Sequence, residues 1–345
     1  MKFIHCADLH IDSKLESRLS SANARIRREE LLAAFDRLAA TAESQGVRAV
    51  IIAGDLFDSE RASARSRKFV LDVISKHTGI DFLLLTGNHD DGVGEALNTP
   101  ENLKMFSDTL TAFDYENVRI AGVTQYSDGA FDGAFAPEMI NIAVLHGENR
   151  TDFSFDSMKD RFIDYLALGH YHSYSAAPLD SRGIYCYSGC LEGRGFDECG
   201  DKGYVLIETD GNSLTHTFVP FAARRVEEID IDMSEGYTLA DQSRILEKGL
   251  EGVSRENMVK VNIVGKYEIE REKFYEHICA TYKDEFFCFR ISDRSVLYID
   301  PASYVNDISL KGEFIRLAMR EIEDEAERSR VISCGLRALA EEDIE

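Results

Sequence analysis

Nowhere in the 345 residues does an apolar run approach the ~20 needed to cross a bilayer as a helix. The opening Met1-Lys-Phe-Ile-His-Cys-Ala-Asp8 turns polar too soon for a signal peptide. A cytoplasmic protein with no membrane partner is therefore expected. Basic charge is scarce, with 39 Lys and Arg against 62 Asp and Glu and a net charge of −23. The deficit is general: residues 1–222 hold 21 basic against 34 acidic side chains, and the remainder holds 18 against 28. That balance disfavours a protein that grips nucleic acid through a broad positive footprint, although carboxylates gathered around divalent cations would account for a few of the charges. The seven cysteines are odd in number and scattered, which fits reduced thiols better than a disulfide framework. Cys186, Cys190 and Cys199 cluster, yet they lack the paired Cys-x-x-Cys spacing of a zinc site. There is no repeat, no low-complexity linker and no heptad run long enough for a coiled coil.

What is present is a globular composition, 44% hydrophobic and 29% charged, in a chain long enough for more than one domain. Lys2 to Ala7 reads as a first strand ending in Asp8-Leu-His10, whose alternate side chains point to one side. Asn23 to Ser44 is an amphipathic helix, with Ile26, Leu31, Leu32, Phe35 and Leu38 on its apolar face and its charges on a solvated one. Val47 to Ala53 is a second apolar run, ending in Gly54-Asp-Leu-Phe-Asp58. Ser59 to His77 has a helical pattern, and its basic residues Arg61, Arg65, Arg67 and Lys68 read by default as a solvated face, with contact to a phosphate backbone as the alternative. Residues 81–90 give a third strand that stops at Gly87 and delivers Asn88, His89 and Asp90. A helical segment and a small strand, Val118 to Val123, follow. Ile140 to Leu145 then runs into His146, and Tyr165 to Leu168 into Gly169-His-Tyr-His172.

Beyond His172 the texture is antiparallel, and Ile184 to Ser188, Gly203 to Thr209 and Leu214 to Phe221 read as strands completing a second sheet. Residues 226–300 have a β-α-β-α-β-β pattern sized for a small α+β domain. After Pro301 the chain is charged and helical.

Five apolar runs thus end in metal-capable residues: Asp8/His10, Asp55/Asp58, Asn88/His89/Asp90, His146 and His170/His172. Five of the nine histidines lie in these blocks. A strand buried on both faces reads as a continuous apolar run, and a parallel sheet brings its carboxyl ends to one edge. The blocks are therefore expected to converge in space. Carboxylate, imidazole and amide oxygen without thiolate suit manganese, iron or zinc. The donors suffice for two ions bridged by a carboxylate, an arrangement that acidifies water and clamps a phosphoryl centre. Phosphoester hydrolysis is the expected chemistry.

Asp8-x-His10, Gly54-Asp-x-x-Asp58, Gly87-Asn-His-Asp90, His146 and Gly169-His-x-His172 together resemble the signature of the calcineurin-like metallophosphoesterases. Cys6-Ala-Asp-Leu-His10, Gly54-Asp-Leu-Phe-Asp58 and the stretch Tyr187 to Glu198 followed by Lys202-Gly203 resemble, within that superfamily, the SbcD-like DNA repair exonuclease subunits. The resemblance implies an α/β fold, a metallophosphoesterase sandwich of two mixed β-sheets flanked by helices (1–222), a small α+β capping domain (223–301) and a C-terminal helical segment (302–345).

It further implies two divalent ions, manganese foremost with iron or zinc as alternatives. Asp8, His10, Asp55 and His172 would hold one ion, and Asp55 as bridge, Asn88, His146 and His170 the other. His89 would be the general acid, oriented by Asp58, while a metal-bridging hydroxide attacks phosphorus. Some relatives carry histidine where this chain has Asp58. The implied function is a DNA phosphodiesterase, an exonuclease and also a candidate endonuclease, in DNA repair. Its implied partners are DNA, an SMC-like (SbcC-type) ATPase and a second copy in a homodimer. The alternative is a phosphoesterase acting on a small nucleotide-type substrate, which the acidic charge balance favours and the cap-sized second domain opposes.

Overall fold

Every second residue of the central strands faces one layer and its neighbours face the other, and this alternation builds the N-terminal part of the molecule. The computed structural model describes residues 1–15, 19–58, 62–87, 99–268, 271–299 and 301–339. The chain forms two compact units, Met1–Val226 and Glu227–Glu345.

In the first unit the elements in chain order are β1 (Lys2–Cys6), α1 (Ser21–Ser44), β2 (Ala49–Ala53), α2 (Ala64–Lys76), β3 (Asp81–Leu85), β4 (Leu103–Met105), β5 (Thr111–Tyr115), β6 (Val118–Gly122), β7 (Ile140–His146), the one-turn α3 (Phe155–Met158), β8 (Tyr165–Gly169), β9 (Ser175–Pro178), β10 (Ile184–Tyr187), β11 (Gly203–Thr209) and β12 (Leu214–Pro220). They make two six-stranded sheets, ordered β12-β11-β1-β2-β3-β4 and β5-β6-β7-β8-β10-β9. Strands β1 to β4 run parallel to one another, as do β6, β7, β8 and β10, and β11, β12, β5 and β9 flank these two groups, each pairing antiparallel.

Phe3, Ala49, Ile51, Leu83 and Leu85 of the first sheet pack against Ile120, Ile142, Val144 and Ala167 of the second. The intervening residues Ile4, Val50, Ile52 and Leu84 turn instead to Phe35, Leu38, Val73 and Ile74 of α1 and α2. Strands sandwiched in this way are apolar at nearly every position, and the buried His5 of β1 is accommodated by its hydrogen bond with the Tyr165 hydroxyl at 2.9 Å. Each fully buried Leu or Phe contributes roughly 1.5–3 kcal/mol before entropy is counted. The outer face of the second sheet carries Leu145, Leu166 and Leu168 under Phe131, Phe135, Phe153 and Met158.

Four sequence expectations change. Residues 99–117 hold β4 and β5 rather than a helix, and the alternation in Thr111-Ala-Phe-Asp-Tyr115 is the period of a strand. β11 and β12 extend the first sheet, not the second, because β11 pairs antiparallel with β1 (Lys2 opposite Glu208). β10 joins the second sheet parallel to β8. In α1 the face is rotated: Ile26 is exposed, whereas the charged Arg27 is wholly buried between Ala24 and Leu31. Arg27 sits inward because Glu30, Glu192 and the Gly193 carbonyl accept from it there. The basic entry to α2 does face solvent at Arg65 and Lys68, and Lys68 pairs with Asp72 one turn on.

The second unit contains β13 (Val226–Asp232), whose first residue closes the preceding unit, then α4 (Leu239–Gly249), β14 (Met258–Val264), β15 (Lys266–Glu268), α5 (Tyr275–Tyr282), β16 (Cys288–Asp293), β17 (Val296–Tyr298), α6 (Leu310–Glu321) and α7 (Glu325–Leu339). Strands β13, β14 and β16 form one sheet over a core of Ile231, Leu246, Val261, Ile263, Ile278 and Phe289. The short β15, absent from the sequence reading, pairs with β17. Leu297 joins Ile315 and Ala318 of α6 and Ile332 of α7 in a separate cluster. Among the described residues no helix is long and apolar enough to cross a membrane.

Candidate metal centre

The carboxyl ends of β1 and β2 lie side by side, Cys6 opposite Ile52, and those of β7 and β8 likewise, His146 opposite Gly169. Beyond these ends the backbone turns sharply. Asp8, His10, Asp55 and His170 all adopt left-handed φ angles of 52°, 44°, 52° and 110°. Asp and His tolerate that region better than branched residues do, but such strain persists only where surrounding contacts enforce it. Here Asp8 N–H donates to the Gly54 carbonyl at 3.1 Å, His10 N–H to the Asp55 carbonyl at 3.0 Å, and His170 N–H to Asp8 Oδ1 at 2.9 Å. Gly54 and Gly169 permit the close approach: a Cβ on Gly54 would overlap the His146 ring, and one on Gly169 the Ala53 carbonyl.

Three imidazoles are held from behind. His146 Nδ1 donates to the Ala53 carbonyl at 2.9 Å, His172 Nδ1 to Glu198 Oε1 at 2.8 Å, and His10 Nδ1 lies 3.3 Å from Asp58 Oδ1. A proton held on Nδ1 leaves Nε2 as the lone-pair nitrogen, the arrangement by which outer partners fix a metal-binding histidine. The inner nitrogens converge. His10 Nε2 and His172 Nε2 are 3.2 Å apart, and Asp55 Oδ2 stands 3.4 Å from His146 Nε2 and 3.9 Å from His10 Nε2. Among the described residues two groups of donors result, Asp8 with His10 and His172, and Asp8 with Asp55 and His146.

The electrostatics fit a cation. Burial pushes the Asp8 carboxyl up to about 6, against the pull of His146 and His172. Burial alone would lower His146, yet the Asp55 and Asp8 carboxylates outweigh it and raise the imidazole to about 9. Both shifts express one imbalance, carboxylates buried together in want of positive charge. The donor set of imidazole nitrogen and carboxylate oxygen suits borderline divalent ions.

The expected site residues divide accordingly. Asp8, His10, Asp55, His146 and His172 come together. The His170 ring packs edge-on against His146 with centroids 5.8 Å apart, outside both donor groups, while its backbone serves Asp8. Asp58, expected to orient His89, backs His10 and accepts from Arg194 Nη1 at 2.8 Å. Asn88 and His89 lie outside the described residues, as does Asp90. All seven cysteines are free thiols and none belongs to a donor group.

Sequence reasoning does not single out Glu198 and Arg194 as site residues. Glu198 is almost completely buried, and although burial opposes it, hydrogen bonds from His172 and Arg194 hold its carboxyl far below the usual range. Their segment is anchored by the buried Arg27, which donates to Glu192 and to the Gly193 carbonyl at 2.6 Å. The signals for them are the charged run Glu192-Gly-Arg-Gly-Phe-Asp-Glu198 among small residues and its place in the stretch Tyr187 to Glu198 that resembles the SbcD-like subunits.

The family model for calcineurin-like phosphoesterases matches residues 1–198. This chain belongs to that family. Calcineurin-like phosphoesterases use two metal ions, in keeping with the two donor groups. Among curated relatives, the uncharacterized metallophosphoesterase YhaO of Bacillus subtilis is 26% identical over 274 residues, covering 72% of this chain and 67% of YhaO. The DNA double-strand break repair protein Mre11 of Methanosarcina acetivorans is 22% identical over 237 residues, 62% of this chain but 38% of that protein. The D component of the nuclease SbcCD from Escherichia coli is 24% identical over 273 residues, covering 61% of this chain and 66% of that one.

Proposed function

We propose that this calcineurin-like phosphoesterase is a two-metal-dependent DNA phosphodiesterase, an exonuclease of the SbcD-like kind acting in DNA repair with manganese as its ion. The observation that carries the reading is the convergence of three back-held imidazoles on two buried carboxylates. Its direction toward DNA draws on two relatives, Mre11, named for DNA double-strand break repair, and the D component of SbcCD, named as a nuclease.

Bound divalent ions would acidify water and neutralise charge at a phosphoryl centre. In this reading Asp8, His10, Asp55 and His172 would hold one ion, and Asp55, Asn88, His146 and His170 would hold the other. Asp55 is assigned the bridge because its Oδ2 faces both His10 and His146. Glu198, Asp58 and the Ala53 carbonyl keep the imidazole protons away from the ions. His89 is assigned to protonate the departing oxygen. The reading also includes residues 223–301 as a cap that selects DNA, a homodimer, and an SMC-like ATPase partner docked by residues 302–345, all in the cytoplasm.

The net charge of −23 favours a second reading, a phosphoesterase for a small nucleotide-type substrate. Purified protein with manganese, offered end-labelled DNA, short oligonucleotides, mononucleotides and bis-p-nitrophenyl phosphate, separates the two. Metal-dependent shortening of DNA is expected. Turnover of mononucleotides with intact DNA would overturn the DNA reading and leave the metal site standing.

A further inference from the structure

One side chain touches the outer partners of two different imidazoles. Arg194 is 8% exposed, and its guanidinium lies between Asp58 and Glu198. Nη1 donates to Asp58 Oδ1 at 2.8 Å, the same oxygen that faces His10 Nδ1 at 3.3 Å. Nη2 donates to Glu198 Oε1 at 2.7 Å, the same oxygen that accepts from His172 Nδ1 at 2.8 Å. Nε donates to Glu198 Oε1 at 3.1 Å, and the Arg194 backbone N–H to Glu198 Oε2 at 2.7 Å. Each of these two carboxylate oxygens, Asp58 Oδ1 and Glu198 Oε1, is thus shared between an imidazole and one planar cation. The fork is rigid, so the two carboxylates cannot shift independently.

A ligand imidazole is only as well aimed as the group that holds its other nitrogen. His10 and His172 bring their Nε2 atoms within 3.2 Å of each other, and their two holders are fastened to the same guanidinium. His146 has no share in this arrangement, because its holder is the Ala53 carbonyl.

We infer that Arg194 is a positioning residue that sets the aim of His10 and His172 as a pair and thereby governs the affinity of one of the two metal ions, leaving the other to His146 and its backbone holder. This rests on the two-metal reading above. Loss of an outer partner weakens metal binding by about 10–100-fold. Lysine keeps the charge but presents a single ammonium in place of the fork, so it cannot hold both carboxylates in register.

The test is a calorimetric titration of the metal-free full chain with Mn²⁺, for the wild type, Arg194→Lys and Arg194→Gln, each checked for native near-UV circular dichroism. The wild type should take up two ions. Both variants should bind one ion unchanged and the other about 10–100-fold more weakly. Two unchanged ions, or equal weakening of both, would overturn the inference and leave the two-metal reading intact. Loss of the native spectrum in both variants would assign Arg194 to the fold and likewise overturn it. No uptake by the wild type would overturn the metal reading itself, and this inference with it.

Discussion

The two halves of the site are built differently. His146 is aimed by a backbone carbonyl of the neighbouring sheet, and its nitrogen can shift only if β2 shifts. His10 and His172 are aimed by carboxylates on irregular segments, fastened to each other through Arg194 and to α1 through Arg27 and Glu192. One half inherits its precision from the sheet. The other depends on a network of buried charges, where a partly satisfied member is costly.

The largest expected effect ignores this division. Asp55 faces both halves, so Asp55→Ala should abolish metal-dependent hydrolysis of every phosphoester, measured as initial rates at saturating manganese. Next, His89→Ala should lower DNA cleavage by about 10²–10⁴-fold, the usual worth of a general acid, while calorimetry still finds two ions. An equally active variant would remove His89 from the chemistry. Then come two substitutions that separate the halves. Glu198→Gln keeps an oxygen for His172 but loses the charge, and should weaken one ion about 10–100-fold. Gly54→Ala places a Cβ at a φ of 90° and against the His146 ring, and should weaken the other ion while lowering stability by about 1–3 kcal/mol in denaturant titrations. If both variants weaken the same ion, the halves are not separate. The smallest effect belongs to Tyr171→Phe. The exposed Tyr171 donates to Glu148 at 2.6 Å between the two histidines of its block, and loss of that bond should change stability by no more than ~0.5 kcal/mol and leave both ions bound.

The strand ends that supply both halves are the part of the site easiest to read from sequence. Strands buried on both faces announce themselves as apolar runs, and the residues at which the runs stop, Asp8, Asp55 and His146, are those that converge. The helix over Asn23 to Ser44 is equally plain, beginning at Ser21 under a Ser20 cap. What the pattern does not carry is partnership. Nothing in Gly203 to Thr209 says that it pairs with Lys2 to His5 at the far end of the same unit, so the expected place of β11 and β12 in the second sheet gives way to the first. Three-residue β4 and five-residue β5 are too short for periodicity to outweigh a helical reading.

Buried charge is the least legible feature. Arg27 sits in a helix whose charges read as solvated, and Arg194 and Glu198 lie in a glycine-rich stretch with the composition of a surface loop. Their burial is decided by one another and by Glu192, an arrangement visible only after the segments meet. The contact of Asp58 with His10 escapes the sequence for the same reason. His10 and Asp58 belong to different strand ends with α1 between them, and the pairing requires His10 to turn through a left-handed φ of 44°.

The most direct measurement is anomalous scattering from crystals of the full chain grown with manganese. Two peaks are predicted, one in reach of the His10 and His172 Nε2 atoms and one at His146 Nε2, with Asp55 between them. A single peak, or manganese bound only away from these nitrogens, would contradict the two-metal account.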